Sequence, residues 1–204
     1  STPTASSGPA PQTPGHRLRT SVVALFVDPA DLSVAVVLRI TNPDTRRAVT
    51  NALIATDLVD RAGILVGTST APGTDPLSVH VPYVGAGQSV LFVTDTIAVS
   101  AAPSTARISA TGTFSARRPA SLAVRSARLR HGAFGWVATA TLDGSATAPP
   151  RKVLVEAVVR RDGRIIAAGT RTASVPQTDR PVDIDILLIG QAGGGELIVW
   201  TAGS

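Results

Sequence analysis

The chain has 204 residues, 19 basic against 14 acidic for a formal charge of +5, and contains neither cysteine nor methionine. Without cysteine there can be no disulfide, no thiolate metal site and no thiol hydrolase or sortase chemistry. No apolar run approaches the roughly 18 residues that a membrane-spanning helix requires.

Ser1 to Gly15 holds four prolines among Ser, Thr, Ala and Gly. With so little apolar surface it cannot offset the entropy of ordering, so residues 1–16 are expected to be a disordered linker. Such a tract, in a chain lacking an initiator methionine, predicts a processed protein with a membrane anchor or signal peptide upstream. A disordered tail on a cytoplasmic protein is the plainer alternative.

Residues 17–116 read as a first β-unit. The β-branched runs Ser21–Val27 and Leu32–Thr41 flank Asp28-Pro29-Ala30-Asp31, whose proline presets a turn φ, and they pair as an opening hairpin. A second hairpin runs from Val49 to Ala71 around Asp60-Arg61-Ala62-Gly63, with Gly63 as the left-handed residue. Leu77, Val79, Val81 and Tyr83 alternate with Ser78, His80 and Pro82, the pattern of a strand with one dry face. Ser89–Val99 and Ala106–Ser115 complete seven expected strands.

Residues 117–204 repeat the order. Leu122–Leu129 and Phe134–Leu142 are expected to pair around Arg130-His131-Gly132, with Phe134, Trp136, Ala138 and Leu142 as a core row. The hairpin from Val153 to Ala173 turns at Asp162-Gly163, which admits positive φ and matches strand twist. In its outgoing strand Val153, Val155, Ala157 and Val159 form an apolar row beside a mixed row, which predicts a half-buried strand. Val182–Ile189 and Glu196–Thr201 finish the unit. The doubled hairpin, about a hundred residues apart, predicts an all-β fold of two tandem immunoglobulin-like Greek-key sandwiches.

The segment Leu58-Val59-Asp60-Arg61-Ala62-Gly63 resembles the central signature of FxLYD-type domains, immunoglobulin-like sandwiches of bacterial envelope proteins in which Leu-Tyr-Asp leads into a glycine-closed turn. Thr56 stands where that family has Phe, Val59 where it has Tyr, and the second unit keeps only Asp162-Gly163. The resemblance implies an extracytoplasmic module without catalytic residues.

Motifs for chemistry are sparse. The three histidines, His16, His80 and His131, have no ligand-like spacing, and no Gly-x-Ser-x-Gly elbow is present. Asp183 and Asp185 share a strand face near Asp179, but a calcium site needs six to eight oxygens, so a solvated edge or interdomain contact is the simpler reading. Gly193-Gly194-Gly195 lacks the Lys-Ser/Thr of a phosphate loop and reads as a turn. Only seven aromatic residues occur, mostly within apolar strand patterns, which argues against stacking platforms for nucleic acid or sugars.

Charge is more informative. Arg107, Arg117, Arg118, Arg125, Arg128 and Arg130 fall between Ala106 and His131 with no acidic residue among them, and the rest of the chain nearly balances. Two readings stand side by side. The arginines line the joint between the units and pair with acids such as Asp179 or Asp183, as polar domain junctions do. Alternatively, their guanidinium forks take phosphate or carboxylate from a cell-wall polymer or lipid headgroups.

The expectation is therefore a non-catalytic, extracytoplasmic binding or spacer module of a bacterial envelope protein. Its partner would be another envelope protein or an anionic cell-surface polymer, with no nucleic acid and no cofactor. An enzyme with an unrecognised active site is the remaining rival.

Overall fold

The computed structural model describes residues 15–115, 117–119, 121–144 and 151–202, so nearly all of the expected 1–16 linker lies outside the described residues. The fold is all-β, built from antiparallel sheets packed as sandwiches.

In the first half, β2 (Arg19–Val27), β3 (Ser33–Thr41) and β7 (Ser89–Ala98) form a three-stranded sheet. It faces a sheet ordered β1 (His16–Arg17), β8 (Thr105–Phe114), β4 (Val49–Val59) and β5 (Leu65–Thr68), with β6 (His80–Val84) also pairing to β4. Alternate residues of each strand point between the sheets. Val34, Val36, Leu38 and Ile40 of β3 meet Ile54 and Leu58 of β4 and Phe92 of β7 in one dry core.

In the second half, a six-stranded path runs β14 (Glu196–Thr201), β11 (Arg151–Arg161), β12 (Arg164–Val175), β13 (Val182–Gly190), β10 (Gly135–Leu142) and β9 (Val124–Gly132). The path bends between β12 and β13, which share only the pairs Ala167–Gly190 and Ala168–Ile189. Bending brings Val155, Ala157 and Val159 of β11 against Ala138, Leu142 and Ile186 in a second core.

Four local expectations change. His16 and Arg17, assigned to or beside the linker, pair with Gly112 and Thr111 as β1, an eighth strand in the first half. Pro76–Val79 is a 3-10 turn, so the strand expected from Leu77 begins at His80; the Asp75 side chain accepts from the Leu77 N–H and Pro76 presets the backbone. The hairpin of β9 and β10 closes at Ala133 and Phe134, because Gly132 pairs with Gly135 and Gly135 takes φ +121. Phe134 is thereby removed from the expected core row and is 92% exposed.

The fourth change sets the architecture. β11 is buried on both faces from Leu154 through Val159, not half-buried, because its mixed row packs on the other half of the chain. Ala35, Val37 and Val93 from the outer face of the three-stranded sheet meet Val158, Ala168 and Ile189, flanked by Phe26, Leu91 and Trp200. Every described ladder joins strands of the same half, so this side-chain seam is what holds the halves together.

Candidate anion-binding pocket

The six arginines do not line the seam. Two carboxylates occupy it instead. Glu156 of β11 is 1% exposed; its Oε1 accepts the Val93 N–H at 2.6 Å and its Oε2 accepts the Trp200 indole N–H at 2.8 Å. Burial pushes the Glu156 carboxyl up to about 8, outweighing both donors, and the nearby charge of Asp95 acts in the same direction. Asp95 of β7 in turn accepts from the Thr170 N–H and hydroxyl on β12. Val93 sits opposite Val37 of β3 on β7, the terminal strand of its sheet, and Thr170 lies beyond the short β12–β13 ladder. Each carboxylate thus satisfies an open strand edge of the opposite half. The signal for this was a lone carboxylate inside the apolar run Val153–Val159.

The arginines fall into three sets. Arg107 on β8 stands opposite Asp57 of β4, and its Nη2 lies 3.8 Å from where a Cβ on Gly63 would stand. At that tip Gly63 has φ +81, and the Asp60 carboxylate accepts from the N–H groups of Ala62 and Ile64 at 2.8 and 2.9 Å. Arg125, Arg128 and Arg130 are exposed on the terminal strand β9. Arg130 pairs with Asp185 at 2.7 Å, rather than with Asp179 or Asp183, and Thr139 donates to the same carboxylate at 2.6 Å. The Thr139 hydrogen bond, then Arg130 and the field of Arg128, hold Asp185 below the ordinary carboxylate range. Asp183 accepts from Thr141 at 2.7 Å. No group of three or more His, Asp or Glu side chains placed to hold a metal occurs among the described residues.

Arg117 and Arg118 form the third set, and here a pocket exists. β4 carries an irregularity between Thr50 and Leu53, where Asn51 adopts φ +50. Such a bulge bends its strand and re-aims side chains. The chain leaving β8 is tied back by the Ser115 N–H to the Ala48 carbonyl at 3.0 Å, and the Arg117 N–H donates to the Ser115 hydroxyl at 3.2 Å. Thr50, Asn51, Pro82, Ser115, Arg117, Arg118 and Pro119 then line an open cleft of about 650 Å³. The Arg118 guanidinium sits 5.5 Å from the Tyr83 ring centroid, within cation-π range. No carboxylate is among the described lining residues.

Beside this end, Arg47 lies 3.6 Å over the Phe114 ring and chelates Asp44 through Nε and Nη2 at 3.1 and 2.9 Å. The backbone N–H groups of Arg46 and Arg47, then the Arg47 side chain, lower Asp44 to about 2. Asp44 therefore uses Arg47, and leaves Arg117 and Arg118 as the cations that open on the pocket. Comparison with family models, curated proteins and solved structures gave no match.

Proposed function

We propose that this chain is a non-catalytic binding module of a bacterial envelope protein, working outside the cytoplasm, and that the Arg117–Arg118 pocket takes phosphate or carboxylate groups of an anionic cell-surface polymer. The observation that carries this reading is the pairing of two guanidinium groups on one pocket without a lining carboxylate. Two adjacent forks can each make charge-assisted hydrogen bonds to an oxyanion, and the bulged Asn51 adds an amide to the same wall. The FxLYD-like segment at Leu58–Gly63 supports a tandem immunoglobulin-like, extracytoplasmic assignment. The apolar seam supports a rigid spacer role for the same body, holding the pocket at a set position relative to the second half.

Titration calorimetry with a poly(glycerol phosphate) chain and with polyglutamate tests the reading. The affinity is expected to fall about tenfold or more in Arg117→Ala/Arg118→Ala and to weaken steeply with added salt. Arg128→Ala, on β9 and outside the pocket lining, is expected to leave it unchanged. Equal affinity of the double variant and the parent protein for both polymers would overturn the proposal.

A further inference from the structure

The hairpin tip between β9 and β10 presents Phe134 at 92% exposure, while the next most exposed large apolar side chain, Ile64, stands at 63%. Single exposed hydrophobic residues are ordinary, but a nearly naked ring at the extreme of a turn has a shape and a setting that call for more. The strand that carries the ring is anchored close by. Trp136 lies two residues on, with the His131 ring edge-on at 5.0 Å, and the backbone at Gly193 packs so closely on the Trp136 ring that a Cβ there would come within 3.1 Å.

The neighbouring connections lie at the same end. Trp136 pairs with Leu188 near the end of β13, Arg160 pairs with Glu196 at the start of β14, and the Arg161 guanidinium donates to the Gly193 carbonyl at 3.1 Å. This locates the Asp162-Gly163 turn, with Arg161 and Arg164 facing each other across it, beside the Phe134 tip. Arg160, Arg161 and Arg164 form no ion pair among the described residues. Leu187, opposite Val137 in register, adds a second apolar side chain at 51% exposure. A projecting aromatic ring is therefore set beside three arginines that outnumber the local carboxylates, Asp162 and Glu196, and Arg161 keeps N–H groups beyond the one given to Gly193.

We infer that this end of the second half docks on the surface of an anionic phospholipid bilayer, with Phe134 inserted among the upper acyl chains and Arg161 and Arg164 held at the phosphates. The observations favour a bilayer because it is negative at its surface and apolar a few ångströms below, which suits an end that exposes an aromatic ring beside an excess of cations. Arginine stems can lie along apolar surface while their heads stay at the polar level. A single ring and a few charges give weak, reversible binding, suited to orienting a protein that is held near the membrane by other means. The site is separate from the Arg117–Arg118 pocket, which lies before the start of β9 whereas the tip lies at its end.

The test uses the whole chain with vesicles of pure phosphatidylcholine and of phosphatidylcholine with a third phosphatidylglycerol, read by co-sedimentation and by tryptophan emission. Association with the anionic vesicles and a blue shift from Trp136 are expected, with little of either on the neutral ones. Phe134→Ala, at a site too exposed to disturb the fold, is expected to lower the partition coefficient about tenfold or more. Arg161→Ala/Arg164→Ala should lower it about tenfold and flatten its dependence on anionic lipid. Arg117→Ala/Arg118→Ala should bind as the parent, so failure here is distinguishable from failure of the pocket. The inference is overturned if the parent protein ignores anionic vesicles, binds both kinds equally, or loses nothing in Phe134→Ala. It is equally overturned if Phe134→Ala alters only self-association in sedimentation, which would make the tip a protein contact.

Discussion

Glu156 is the side chain on which both halves of the molecule depend, since one carboxyl accepts from Val93 in the first half and Trp200 in the second. Its burial raises it from an ordinary 4.5 to about 8. Between those values the folded protein holds a proton that the unfolded chain has released, so stability must fall as pH rises across the window. The expected slope is about 1.4 kcal/mol per pH unit, one proton's worth, flattening above about 8. Asp31, Asp44 and Asp185 are held below the ordinary 3.8 and act oppositely, their contribution being lost as pH falls beneath that value. Urea denaturation from pH 3 to 9 should therefore show greatest stability near pH 4 to 5. Glu156→Gln should abolish the decline above pH 5. A decline that persists in the glutamine variant would assign the proton elsewhere. Glu156→Leu, which strands the Val93 and Trp200 N–H groups, should cost about 2 to 5 kcal/mol at pH 5.

At the level of the strand pair, two glycines of one hairpin separate conformational from steric cost. Gly163 has φ +76 beside Asp162 at φ +51, the left-handed pair of a tight primed turn, and a Cβ on it would meet nothing within 4 Å. Gly163→Ala should lose about 1 kcal/mol, from backbone preference alone. Gly169 in β12 has no such φ, but a Cβ there would stand 2.1 Å from the Leu187 carbonyl oxygen, so Gly169→Ala must push β12 away from β13. It should lose about 3 kcal/mol or more, and chemical denaturation of the two variants checks the ordering. The Asp-Gly turn was legible because its mechanism is local. The β9–β10 turn was not: parity counting from Trp136 placed Phe134 inward, and only the pairing of Gly132 with Gly135 shows that the strand begins after it. The 3-10 turn at Pro76 was likewise hidden behind an alternation that continued through it, although Asp75-Pro76 carried the capping signal.

For the molecule as a whole, strand content and hairpin order could be read from residue pattern, whereas the seam could not, because which outer face becomes dry depends on the other half. The traces of it were a continuous Val34-Ala35-Val36-Val37-Leu38 run and the apolar members of the second row of β11, both signs of strands buried on two faces. The arginine count was legible and its distribution over three places was not, since Arg130 lies within reach of Asp185 only through the pairing of β9, β10 and β13. If the seam makes one cooperative body, calorimetry should show a single transition, with Trp200 emission changing at the same temperature. Val37→Asp places a carboxylate at a fully buried seam position of β3, facing Val158 and Ala168 rather than the core of its own half. Burying that charge without a partner should cost about 3 kcal/mol or more, or roughly 6 to 12 °C for a chain of this size. The loss should fall on the seam first, splitting the transition in two and shifting Trp200 emission to the red before either half melts. A variant that still melts in one step within about 2 °C of the parent would mean that the halves unite through something other than this face.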